Sequence, residues 1–111
     1  MEEKIKTLEE ISDIISNLKQ QGKKIVQCHG VFDLVHYGHI RHFLAAKEKG
    51  DILVVTITPD KFIQKGPERP FFNEEIRLKH LSAIQCIDYV VLNRWPTAIE
   101  TIKIIKPDVY A

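Results

Sequence analysis

Little in this 111-residue sequence points to the extracellular space, a membrane or nucleic acid. Its two cysteines, Cys28 and Cys86, are too few and too isolated for a disulfide framework. Both fall in stretches that read as strand, the pattern of buried free thiols in a reducing cytoplasm. No apolar run approaches the roughly 20 residues of a bilayer span, and the acidic, amphipathic start does not resemble a signal peptide. Sixteen Lys and Arg against fifteen Asp and Glu leave a formal charge of +1, which gives no electrostatic case for nucleic acid or an acidic membrane surface. There is no G-x-G-x-x-G turn, so a nicotinamide-dependent oxidoreductase is disfavoured. Nor is there an internal repeat, a low-complexity segment or an interdomain linker. With 44% apolar and 28% charged residues, the chain reads as one small globular domain able to hold a core.

What is present is concentrated in one stretch, Gly30-Val31-Phe32-Asp33-Leu34-Val35-His36-Tyr37-Gly38-His39. It follows a short apolar run from Lys24 that reads as strand, and it leads into Ile40 to Lys47, which reads as helix. A strand, a glycine-bearing turn and a helix N-terminus in that order make a phosphate-binding geometry. Gly30 and Gly38 lack a Cβ, so backbone N–H groups near them can approach an anion and unusual dihedrals are tolerated. The first helical turn has N–H groups without intrahelical partners, and the helix dipole favours negative charge there. His36 and His39 lie three apart, on one side of that turn. As oriented donors they could follow charge developing on phosphorus. Asp33 could instead serve only the turn, accepting from nearby backbone N–H groups.

Helices and strands alternate around this motif. Thr7 and Glu10 form a capping-box pattern ahead of an apolar stripe of Leu8, Ile11, Ile14, Ile15 and Leu18 that ends near Gly22. A strand over about 24–29 precedes the motif, whose helix runs to about Lys49. Asp51 to Thr58 is nearly continuous and β-branched, as expected for a parallel strand covered on both faces. Asn73 can cap a helix carrying Ile76, Leu81 and Ile84, and a third strand spans about 87–92. Thr97 with Glu100 predicts a second capping box, on a helix that stops before Pro107. Asp108 to Ala111 reads as the start of a fourth strand, an awkward place for a domain to end. The alternation predicts an open, parallel, Rossmann-like sheet with helices on both faces, ligands binding beyond the carboxyl ends of the strands.

The spacing G-x-F-D-x-x-H-x-G-H resembles the signature of the cytidylyltransferase-like nucleotidyltransferases, which include glycerol-3-phosphate cytidylyltransferase and the nucleotidyl-transferring half of ADP-heptose synthase. Gly50-Asp51-Ile52-Leu53-Val54-Val55, Thr58-Pro59-Asp60 and Asn73-Glu74-Glu75-Ile76-Arg77 resemble further family segments in the same order. The resemblance implies transfer of CMP or AMP from CTP or ATP to a phosphorylated sugar or polyol, with release of pyrophosphate. It implies magnesium, bound mainly through the nucleotide phosphates, and suggests a homodimer and a sugar kinase, fused or separate. It also implies that the domain continues past residue 111 with a last strand and helix, without which the chain would be an incomplete nucleotide-binding module.

Carried over by resemblance, His36, His39 and Lys65 are the catalytic candidates. Gly30, Val31, Phe32, Asp33, Gly38 and Arg77 would bind nucleotide, and Asp60 and Arg69 the acceptor. Lys65 and Arg69 lie in the loop Gln64 to Pro70, whose plain alternative is a solvated basic loop. Arg77 stands early in its helix, where a cation opposes the dipole. Its anion could be the nucleotide, or Glu74 or another carboxylate. Asp60 could equally be a turn or N-cap carboxylate. A zinc site would need His29, His36, His39 and His42 to converge with no Cys or Glu at ligand spacing, so no metal ligand is assigned. Trp95 reads as packing the strand-to-helix connection, and His80 as a helix-surface residue.

Overall fold

The computed structural model describes residues 1–63 and 70–111; Lys65 and Arg69 therefore lie outside the described residues. A 3-10 turn, Glu2–Lys4, leads into a two-residue strand, β1 (Ile5–Lys6), that periodicity could not show. Helix α1 (Leu8–Gln20) starts on the expected capping box. Thr7 Oγ1 accepts from Glu10 N at 3.1 Å, and Glu10 Oε1 accepts from Thr7 N at 2.9 Å. Then come β2 (Ile25–Gly30), α2 (Tyr37–Lys47), β3 (Ile52–Ile57), α3 (Glu74–Ser82), β4 (Tyr89–Leu92), α4 (Ile99–Ile105) and β5 (Val109–Tyr110).

Two boundaries differ from expectation for local reasons. Helix α3 ends at Ser82, so Ile84 and Cys86 lie in the following turn rather than in a helix and a strand. Helix α4 has no capping box: Ala98 is its N-cap, and Thr97 Oγ1 receives only Ile99 N, at 3.4 Å. The cause is Asn93, whose amide grips the carbonyls of Trp95 and Thr97 at 2.8 and 2.7 Å and shapes the connection before the helix can begin.

The five strands form one all-parallel sheet in the order β1-β4-β3-β2-β5, a Rossmann-like α/β architecture. Strand alternation divides the core into two layers. Val26, Cys28, Leu53, Val55, Ile57 and Val90 face α2 and α3, meeting Phe43, Ala46, Leu78 and Leu81. Ile25, Val54 and Val91 face α1 and α4, meeting Leu8, Ile11, Ile15 and Ile105. Each of these aliphatic side chains is essentially withdrawn from water, worth about 1.5–3 kcal/mol apiece. No helix among the described residues is long and apolar enough to cross a membrane.

The topology fixes where a ligand can bind. From β2 the chain lays β3 and β4 to one side, then returns to pair β5 on the other. The order reverses at β2, and the crevice beyond its carboxyl end is where open parallel sheets take ligands. Asp108 pins the return: its carboxylate accepts from Ile25 N at 2.7 Å while its own N–H donates to Ile25 O at 2.8 Å.

Candidate functional site

At the carboxyl end of β2 the chain turns through Phe32, which takes the left-handed conformation at φ 51°. For a residue with a Cβ this costs on the order of 1–3 kcal/mol. The turn folds the ring back over the strand end. It packs edge-on against His39 (5.6 Å between centroids, 86°) and against Phe43 of the core (5.0 Å, 64°). A Cβ on Gly30 would meet Phe32 Cζ at 2.9 Å, and one on Gly38 would meet His36 Cε1 at 2.7 Å. Both motif glycines are thus required by an aromatic ring lying on them. This differs from the sequence expectation of unusual dihedrals: among the described residues only Gly22 has a positive glycine φ.

His36 is the N-cap of α2. Its Nδ1 accepts from Gly38 N at 3.0 Å, and His39 Nδ1 accepts from His36 N at 3.2 Å. Two imidazoles thereby make a capping box of the kind usually made by Ser or Thr with Glu. The consequence is chemical. A neutral imidazole that accepts at Nδ1 carries its proton at Nε2. Both rings, stacked 4.1 Å apart and tilted 37°, are therefore set as Nε2–H donors at the positive end of a helix. Partial burial, then the neighbouring His36 and His42, hold His39 below its ordinary pKa and keep it neutral.

Asp33 reaches across the chain. Its carboxylate accepts from Phe71 N at 2.6 Å and Phe72 N at 2.8 Å, tying the β2 exit to the approach of α3. Arg77 completes that tie. It is fully buried, with Nη1 donating to Val31 O (2.9 Å) and Thr58 O (2.8 Å) and Nε to Phe72 O (3.2 Å). Its Nη2 pairs with Asp60 Oδ1 at 2.7 Å. Among the described residues the carboxylate paired with Arg77 is that of Asp60 rather than Glu74. Asp60 also caps α3 from outside: Oδ2 accepts from Glu74 N at 3.1 Å, and Glu74 Oε1 accepts from Asp60 N at 2.9 Å. The helix's own cap is Asn73, whose Oδ1 accepts from Ile76 N.

The structure thus gathers Gly30, Val31, Phe32, Asp33, His36, Gly38 and His39 around one strand-to-helix connection, with Arg77 of α3 and Asp60 of the segment after β3 bracing it. His29 belongs to a separate polar layer, its Nδ1 at 2.8 Å from Thr56 Oγ1 and its Nε2 at 3.4 Å from Thr58 Oγ1. Both its nitrogens are engaged there, and burial lowers its pKa. Trp95 packs against the layer under α1 and α4, and His80 stands on the surface edge-on to Phe72, 4.8 Å away. Sequence reasoning passed over the cavity of about 700 Å³ beyond β3 and β4, with Lys61, Glu74 and Arg94 among its lining. No local pattern marks these three, because they come from separate parts of the chain: the β3–α3 connection, the first turn of α3 and the segment after β4.

A parallel α/β sheet whose switch point carries a helix N-terminus is a build that suits anionic ligands. Residues 27–111 match the cytidylyltransferase-like family, and the chain belongs to it. It is 41% identical over 110 residues to the bifunctional protein HldE of a Nitratiruptor species, a match covering 97% of this chain and 24% of the relative. Against the HldE of Geobacter metallireducens it is 42% identical over 108 residues, covering 96% and 22%. The chain thus spans about a quarter of the length of these curated relatives. Among solved structures, a lipopolysaccharide core biosynthesis protein from Thermoplasma volcanium GSS1 superposes with a TM-score of 0.74 at 32% identity, covering 80% of this chain and 73% of that one.

Proposed function

We propose that this domain transfers a nucleotidyl group, CMP or AMP, from a nucleoside triphosphate to a phosphorylated sugar or polyol. The observation that carries the reading is the reciprocal capping of His36 and His39, which leaves two Nε2–H donors and a helix N-terminus at the switch point. Family membership supports the reaction type. The HldE relatives are named bifunctional, which agrees with a second activity, such as a sugar kinase, outside the quarter matched here. Retained thiols at Cys28 and Cys86 agree with a cytoplasmic setting.

In this mechanism an oxygen of the acceptor phosphate attacks the α-phosphorus. The new O–P bond forms as the bond to the bridging oxygen breaks, and pyrophosphate leaves with that electron pair. A phosphate monoester is largely dianionic at neutral pH, its second pKa being about 6, so no general base is required. His36 and His39 donate to the triphosphate oxygens as charge moves, assisted by backbone N–H groups near Val31 and Phe32. Magnesium enters as part of the nucleotide substrate. Its preference for water and phosphate oxygens suits a site whose carboxylates, Asp33 and Asp60, already accept from backbone N–H groups and Arg77.

The test is pyrophosphate release from magnesium ATP or CTP in the presence of sugar phosphates, with the wild type and His39→Ala. The expected result is release with one nucleotide, reduced on the order of 10²-fold in the variant. An unchanged rate would remove His39 from the mechanism. Nucleotide binding with no release under any acceptor would instead make the domain a binding module.

A further inference from the structure

The cavity beyond β3 and β4 has more polar lining than the proposed reaction has yet used. Its acids are largely engaged: Asp60 by Arg77 and by the N–H of Glu74, and Glu74 by the N–H of Asp60. Glu75 stands at the rim with its carboxylate 3.9 Å from Lys79. The cations of the lining are Lys61, whose ammonium lies 5.2 Å over the Phe62 ring, and Arg94.

Arg94 is unusual in how it is mounted. The residue before it, Asn93, is buried to 1% exposure and its side chain makes three bonds, to the carbonyls of Trp95 and Thr97 and from the Thr101 hydroxyl. The backbone that carries Arg94 is therefore braced from inside the core. The side chain is not: half-exposed, it makes among the described residues a single Nη2 contact, of 2.7 Å, with Glu9 of α1, itself largely in solvent. An exposed pair of this kind is weak. Arg94 lines the large cavity and also the two smaller ones beside α1, of about 360 and 270 Å³.

We propose that Arg94 is the anion-recognising residue of this cavity, and that it takes a phosphomonoester by exchanging Glu9 for the phosphate. The assignment rests on the reaction proposed above, whose acceptor is a phosphomonoester. A guanidinium fork matches a phosphate better than a lone carboxylate oxygen does, since it can donate two parallel bonds to a dianion. Glu9 then acts as a placeholder for the phosphate on the guanidinium.

The experiment is calorimetric titration of the protein with glucose 1-phosphate as the probe and glucose as the neutral control, in the wild type, Arg94→Gln, Arg94→Lys and Glu9→Gln. Binding of glucose 1-phosphate should weaken about tenfold in Arg94→Gln, with Arg94→Lys in between. It should strengthen about two- to fivefold in Glu9→Gln, where the competitor is gone. Binding of ATP or CTP should be the same in all four proteins, and circular dichroism melts confirm that each is folded. Equal affinity of the wild type and Arg94→Gln, no gain in Glu9→Gln, or no binding of glucose 1-phosphate at millimolar concentration overturns the assignment. If nucleotides bind while the sugar phosphate does not, this inference alone fails; if neither binds, the proposed function fails with it.

Discussion

His39 caps the helix on which it stands: its Nδ1 takes the backbone N–H of His36, while the His36 ring takes the N–H of Gly38. Orientation, tautomer and helix start are fixed by the same two bonds. A protonated ring can accept neither N–H, so the arrangement holds only for neutral histidines.

Acid should therefore loosen the fold before the carboxylates titrate. The folded pKa values of His39 and His29 lie below the ordinary 6.5, so the unfolded chain binds protons more readily than the folded one. Stability is full above about pH 6.5 and falls as pH drops below it toward the folded values. Thermal melts between pH 7.5 and 5.5 (about two units around the ordinary histidine pKa) should show this slope, and His29→Gln with His39→Gln should flatten it. A slope unchanged in the double variant would assign the effect elsewhere.

Gly38→Ala is expected to separate folding from binding. Alanine is the better helix former by about 1 kcal/mol, but its Cβ would stand 2.7 Å from His36 Cε1 and push the ring off its cap. Denaturant melts should change by no more than about 1 kcal/mol, while nucleotide affinity falls at least about tenfold, an interaction loss of about 1.4 kcal/mol. Full affinity in the variant would show that the His36 ring need not rest on residue 38.

Arg77 should behave as a brace. Arg77→Met leaves Asp60 without its cation and three carbonyls, of Val31, Thr58 and Phe72, without a donor. The expected loss is about 3 kcal/mol, the lower end for a broken buried pair because Asp60 is a third exposed. Arg77→Lys should recover only part of it, since one ammonium cannot span four acceptors set around a planar fork. Urea denaturation of the two variants measures both.

Gln27 invites the opposite result. It is fully buried on β2, its amide donates to Thr56 Oγ1 at 3.1 Å, and its carbonyl oxygen has no hydrogen-bond partner among the described residues. Gln27→Leu gives up one neutral hydrogen bond of about 1 kcal/mol and removes an unsatisfied acceptor that costs about as much or more. The melting temperature should stay level or rise. A drop of many degrees would mean that the Gln27 carbonyl is satisfied in solution.

Much of the architecture was legible because its causes are local. The Thr7–Glu10 box, the stripe from Leu8 to Leu18 and the β-branched run before Thr58 each act within a few residues, and each stands within a residue or two of where it was read. The two-residue β1 was not legible, since Ile5 and Lys6 are strand only by pairing with Val90 and Val91. The Thr97–Glu100 pattern misled because Asn93, outside the pattern, sets the loop.

For the candidate site the division is similar. By itself the sequence determined a strand, a turn and a histidine-bearing helix in succession, because backbone propensity and side-chain spacing are properties of neighbouring residues. It could not determine what Asp33, Asp60 and Arg77 bind, since most of the partners named for them, Phe72 O for Arg77 apart, are 14 to 46 residues away. Nor could it show that Gly30 and Gly38 are small to make room for Phe32 and His36, a matter of how a ring folds back in space. Those choices fell to the tertiary structure, because a buried charge or a packed ring is stabilised by whatever the fold brings against it, not by what precedes it in the chain.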